Sequence, residues 1–450
     1  VSGVRVIRAV CSLSAAWLLA PLGCTGDGTA VSDSETDADD GAPPGSGSDA
    51  GSTGDSARPG TTSAGETGTA QTGDDAADGT ADDDDDTGDD DDDDSPPSVV
   101  AATGQTECFD IGGNAIPCAG TGQDGEFQKG VPHPSPRFTD LGDGTVRDNF
   151  TGLIWLRHAS CLGKVGWSEA LSRSNTLANG DADCELSDGS APGDWRLPNI
   201  RELMSLISVS VAYPALTEGH PFVEVRNEMY WTSTSRASGG DSAWTGSPFA
   251  SGRFSSGTKS EDQWWVWPVR SDPDGGAPPL AVMATGQTEC FDDDGTVIDC
   301  AGTGQDGEVQ AGVPMPSPRF SDPGDGTVID NFTGLVWLKQ SDCLGENGYE
   351  EAYSASAALA DGSCGLSDDS APGDWRVPNY KELQSLFDLS RVEPQLSDGH
   401  PFTGIQNGLH WTSTSLASGP DGVWKMNVFW SNIHGGGKDN AHYTWPVRDP

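Results

Sequence analysis

The run Asp194-Trp195-Arg196-Leu197-Pro198-Asn199-Ile200-Arg201-Glu202-Leu203 returns as Asp374-Trp375-Arg376-Val377-Pro378-Asn379-Tyr380-Lys381-Glu382-Leu383. Pro198 disfavours helix at Leu197, so the first half is an extended arm. Asn199 then stands where an N-cap belongs, and Glu202 three residues on completes a capping box. Ile200, Leu203, Leu206 and Ile207 follow on one helical face, with Tyr380, Leu383, Leu386 and Phe387 as their copies. Arm, sharp entry and amphipathic helix, found twice in long matching surroundings, predict two copies of one domain.

The match extends in both directions. Ala102–Cys108 corresponds to Ala284–Cys290, Ala119–Glu126 to Ala301–Glu308, and Phe150–Trp155 to Phe332–Trp337. Copy 1 is expected over 101–271 and copy 2 over 284–450, joined by a Pro/Gly-rich linker at 272–283. Each is long enough to bury its own core, so the copies are expected as beads on a tether. Within a copy, the turn-rich Asp143-Gly144-Thr145-Val146 and Asn149-Phe150-Thr151-Gly152 predict a hairpin ending in Trp155. Trp167, Ala170, Leu171 and Leu177 predict a first helix. Trp231–Ser235, Trp244 and Trp265–Arg270 read as strands rich in Thr, Val and Trp. The fold class is α+β, with much loop.

Residues 25–100 hold 23 of the chain's 70 acidic residues, one basic residue (Arg58) and the runs Asp82–Asp86 and Asp89–Asp94. Such a stretch buries too little apolar surface to offset its ordering entropy, and a disordered stalk is expected. Before it, Arg5 and Arg8 precede an apolar run from Ala9 to Leu22, too short for a comfortable membrane span and laid out as a secretory signal over 1–24. Leu22-Gly23-Cys24 resembles the lipobox of a bacterial lipoprotein, although Pro21 stands where such signals carry Leu. Lipidation of Cys24 is the expectation, with membrane contact through that anchor only; plain secretion is the alternative. The chain's formal net charge of −46 disfavours nucleic acid as a partner.

Eight cysteines fall four to a copy: Cys108, Cys118, Cys161, Cys184 and Cys290, Cys300, Cys343, Cys364. Four cysteines allow three pairings. Cys108–Cys118 and Cys161–Cys184, with their copies, are expected because each closes a local loop. A zinc site is the alternative, but no Cys-x-x-Cys spacing occurs. Asp140, Asp143 and Asp148, repeated as Asp322, Asp325 and Asp330, would offer calcium its oxygen ligands; equally, they are the residues two hairpin turns require. No other cofactor is indicated. The one histidine aligned between copies, His220 with His400, lacks a nucleophile partner, and no Gly-x-Ser-x-Gly elbow or phosphate loop occurs. No catalytic residues are assigned and no enzyme is expected. The aligned tryptophans (Trp155/Trp337, Trp195/Trp375, Trp231/Trp411, Trp244/Trp424, Trp267/Trp445) are expected in the core. Trp264, Trp265 and Trp430, which are unmatched, are the candidates for an exposed ligand-binding surface.

Thr151-Gly152-Leu153-Ile154-Trp155, Asp194–Asn199 with Glu202-Leu203, Tyr230-Trp231-Thr232-Ser233-Thr234 and Val269-Arg270, in this order, resemble the Lcl C-terminal domain family, named for a Legionella collagen-like adhesin. The resemblance covers most of each copy. The Trp-Arg-Leu-Pro arm is also similar to C-type-lectin-like and sulfatase-modifying-factor folds, which implies a lectin-like architecture. Family membership implies a bacterial cell-surface or outer-membrane protein that binds a glycan or a surface protein. The adhesin's sulfated glycosaminoglycans fit poorly here, because they call for Lys/Arg patches and these domains are acidic. The alternatives are a structural envelope protein acting through protein contacts and, third, a secreted enzyme.

Overall fold

The computed structural model describes residues 100–249, 252–273, 275–430 and 432–450. The leader, Cys24 and the acidic stretch as far as residue 99 lie outside the described residues.

Copy 1 opens with a short segment of β1 (Cys108–Phe109), β2 (Ala115–Ile116) and α1 (Asp124–Phe127). Its body follows as β3 (Phe138–Asp140), β4 (Thr145–Asp148), β5 (Leu153–Leu156), β6 (Lys164–Val165), α2 (Trp167–Thr176) and α3 (Ile200–Leu206). The body ends with β7 (Tyr230–Arg236), β8 (Gly239–Ser247), β9 (Arg253–Thr258), β10 (Trp264–Trp265) and β11 (Val269–Ser271). Copy 2 repeats the segment as β12 (Cys290–Phe291), β13 (Val297–Ile298) and α4 (Asp306–Val309). Its body is β14 (Phe320–Ser321), β15 (Thr327–Asp330), β16 (Val336–Leu338), β17 (Glu346–Asn347), α5 (Tyr349–Ala357), α6 (Tyr380–Ser385), β18 (His410–Ser415), β19 (Gly422–Asn427), β20 (Asn432–Gly437), β21 (His442–Tyr443) and β22 (Val447–Arg448).

Each body carries a four-stranded and a five-stranded sheet. In the first body these run β11-β5-β4-β3 and β6-β10-β7-β8-β9, and the second repeats both orders. The recurring arm lies where the two sheets meet. Arg196 pairs backbone to backbone with Val269 at the start of β11, and its guanidinium donates to both oxygens of Glu202, at 2.6 and 2.5 Å. Asn199 and Glu202 form the reciprocal capping box, repeated by Asn379 and Glu382. Trp195 is fully buried, donates to Ser190 Oγ at 3.0 Å and lies beneath the Arg270 guanidinium. The motif is therefore a structural lock joining arm, helix and last strand. All ten aligned tryptophans are buried. The disulfides are Cys108–Cys118, Cys161–Cys184, Cys290–Cys300 and Cys343–Cys364.

The expectation of beads on a tether does not describe the packing. Ile200, Met204, Val209 and Trp244 of the first copy share one apolar cluster with the core of the second. Across this junction, Arg201 at the start of α3 donates to the carbonyls of Gln384 and Phe387 at the end of α6. Lys381, its counterpart on α6, donates to Met204 O of α3 at 2.9 Å. Each helix thus places a cation on the other's negative C-terminal end. Burial pushes the Lys381 ammonium down to about 7.

The opening segments are exchanged between copies. Gln105 bonds Ser415 of the second body through both amide atoms, accepting from its N–H at 2.9 Å and donating to its carbonyl at 3.1 Å. Gln287 does the same to Ser235 of the first body. Asp124 Oδ2 accepts hydroxyls from its own Thr103 and from Thr414, each at 2.6 Å. Asp306 Oδ2 accepts from Thr285 and Thr234 at 2.7 Å. Asn379 donates to Lys129 O, and Asn199 to Ala311 O. We call these opening segments donors. Close approach within a donor explains one invariant feature of its Asp-Gly-Glu turn: a Cβ on Gly125 would stand 2.4 Å from Glu107 O, and on Gly307 2.3 Å from Glu289 O.

Candidate functional site

The edge strands β9 and β20 of the two five-stranded sheets face one another across a cleft of about 490 Å³. The strand registers make its two walls equivalent: Trp244 opposite Ser256 on one side, Trp424 opposite Gly435 on the other. The same registers set Arg253 against Asn432 and Phe254 against Ile433 as counterparts. Position 236, at the end of β7, is Arg in the first copy and Leu416 in the second. Charge therefore comes from the first body, and apolar surface from the second.

Arg236 is half-buried, with its guanidinium carbon 4.6 Å from the centre of the Trp244 ring. Burial lowers its pKa from the ordinary arginine value. Arg253 and His434 are exposed at the rim. Among the described residues no carboxylate lines the cleft and neither arginine belongs to an ion pair. In a chain this acidic, two guanidiniums that line one cleft with Asn432 and Ser255 make a donor-rich, locally positive surface. The floor tryptophans are only 3% and 4% exposed. The cleft surface therefore offers hydrogen bonds and charge rather than exposed indole faces.

The residues expected from the sequence lie elsewhere. Trp264 and Trp265 form β10 and are half-buried, paired to Val165 and Lys164 of β6. Lys164 lies 5.5 Å from the Trp264 ring, and Arg226 5.0 Å from Trp265. Trp430 is half-buried and packs edge-on against Phe429. The three tryptophans are not brought together. The calcium expectation meets no ligand cluster. Asp143 accepts from the N–H and hydroxyl of Thr145, Asp140 closes a turn to Gly142 N, and Asp148 is buried against Arg137. Asp322, Asp325 and Asp330 repeat these roles toward Gly324, Thr327 and Arg319. Among the described residues no group of three or more His, Cys, Asp or Glu is placed to hold a metal ion. The carboxylates are spread along the hairpins because each is needed by its own turn or ion pair. His220 and His400 each lie tilted against the phenylalanine two residues on. Among the described residues no helix is long and apolar enough to cross a membrane.

Arg236, Arg253 and His434 carried no sequence signal. They stand in Ser/Gly-rich stretches of sequence, differ between the copies, and line one cleft only because two edge strands distant in sequence converge.

A family model described as the Lcl C-terminal domain matches residues 144–270 and 326–448. Both matched stretches lie within the bodies and leave the donor segments outside. No curated protein matches the chain.

Proposed function

Because this chain belongs to the Lcl C-terminal domain family, we propose that it is a non-catalytic, adhesin-like surface protein that binds a glycan in the cleft between its two bodies. The observation that carries this reading is the pair of arginines, Arg236 and Arg253, left without carboxylate partners in an otherwise acidic molecule. Carboxylate or hydroxyl oxygens of a sugar accept from guanidinium groups of this kind. The lectin-like resemblance of the arm supports the same reading. At the surface, lipidated Cys24 and the acidic stretch after it serve as anchor and spacer.

The test is a glycan-array screen of the full chain beside an R236A/R253A variant. Binding to a defined sugar class that falls at least tenfold in the variant, with thermal stability retained, supports the reading. A blank array for the native chain overturns it. That outcome favours the second reading, an envelope protein acting through protein contacts, which the donor surfaces independently suit.

A further inference from the structure

The exchange of donors has a direction. Donor 2 (residues 284–313) follows the first body in sequence and docks on that same body; Thr234 and Asp306 are 72 residues apart. Donor 1 precedes the first body yet docks on the second, and Thr414 and Asp124 are 290 residues apart. The chain is thus a two-membered ring in which each donor seats on the body before it, and the first donor closes the circle on the last body.

The two docks share their main hydrogen bonds, but their tethers differ. Donor 2 is held on both sides by bodies, so it leaves its seat only if the bodies part. Donor 1 follows the acidic stretch and is joined to its own body through Val131-Pro132-His133-Pro134-Ser135-Pro136. Its three prolines fix φ at three of six positions and limit the freedom of the hinge. Releasing donor 1 leaves one free donor and one bare acceptor on a single molecule. The acceptor comprises the buried strand β18, the cap residue Asn379 and Lys438, which reaches Phe109 O and Asp110 O.

We propose that donor 1 of one chain docks on the second body of another, so that the partner fitted by this surface is a second copy of this chain. The contacts formed are those already present within one molecule, and no new interface is required. Donor on one side and acceptor on the other make a heterologous contact, which closes as a dimer or extends head to tail. The intramolecular dock competes with an effective concentration on the order of millimolar for a short tether. Crowded chains reach exchange; dilute ones remain closed rings.

Lys129 of donor 1 and Asp449 of the second body form an ion pair at the accessible edge of the dock, so these positions report on it. Two full-length variants, K129C and D449C, are mixed at roughly millimolar concentration and oxidised. The expected product is a disulfide-linked pair of chains that neither variant forms alone. A chain carrying both substitutions serves as control and closes within itself. The same variants labelled with donor and acceptor dyes give the answer without a disulfide, as energy transfer that rises with concentration. Closure of the double variant with no cross-chain product and no transfer overturns the proposal.

Discussion

Asp124 and Asp306 are single side chains on which each dock turns. Both are fully buried, and each carboxylate has one oxygen shared by two threonine hydroxyls and one with no partner. Burial pushes each carboxyl up to about 6, against the hydroxyl bonds, which act in the opposite direction. A carboxyl whose pKa is higher folded than unfolded stabilises the fold while it keeps its proton. Its contribution is complete below about pH 4 and is lost as pH rises through 6. A D124N/D306N variant keeps a neutral acceptor at both sites. Relative to the native chain it should match in stability near pH 4 and gain above pH 6, by up to about 3 kcal/mol per site. Thermal melts across this range, taken as the difference between variant and native, cancel the titration of other groups. A difference independent of pH would count against the buried-proton account. None of this was legible in the sequence. Asp-Gly-Glu recurs visibly at 124–126 and 306–308, but burial of its aspartate comes from a strand about 290 residues away in one copy.

The elements nearest the recurring arm were the most legible. Pro198, Asn199 and Glu202 act within a few residues of one another, so local chemistry alone specifies the extended entry and the capped helix. The hairpin turns of Asp140, Asp143 and Asp148 were legible for the same reason, once their carboxylates are read as turn-formers. The pairing of Trp264 and Trp265 was not, because β10 lies between β6 and β7 and no local signal specifies that order. The caps also reach further than caps usually do. Beyond capping its own helix, Asn199 donates to Ala311 O of donor 2, and Asn379 to Lys129 O of donor 1. Replacing an N-cap Asn by Ala costs about 1 to 2 kcal/mol, and each here loses an additional buried bond of about 1 kcal/mol. N199A and N379A should each therefore lower stability by about 2 to 3 kcal/mol. N379A alone should also speed hydrogen exchange across 101–131, because it loosens the dock that closes the ring. Equal protection of that segment in the two variants would show that the side-chain bond to Lys129 contributes nothing there.

At the scale of the molecule, the repeat was plain in the sequence while its connectivity was hidden, since identical contacts satisfy either an exchanged or an unexchanged arrangement. The difference is measurable. Among the described residues all four disulfides lie within a donor or within a body, so none of them links the two halves across 272–283. A protease site placed between Gly275 and Pro278 should give two fragments that elute together as one native particle of unchanged size and separate on unfolding. Fragments that part under native conditions would contradict the exchange. The ring also bears on how such a protein is inherited. Each repeat brings one donor and one seat, so duplication or loss of a whole repeat leaves every surface matched and needs no compensating change. A break anywhere other than the repeat junction exposes a β7- or β18-type strand bare of its partner. The architecture tolerates variation in number far better than variation in phase.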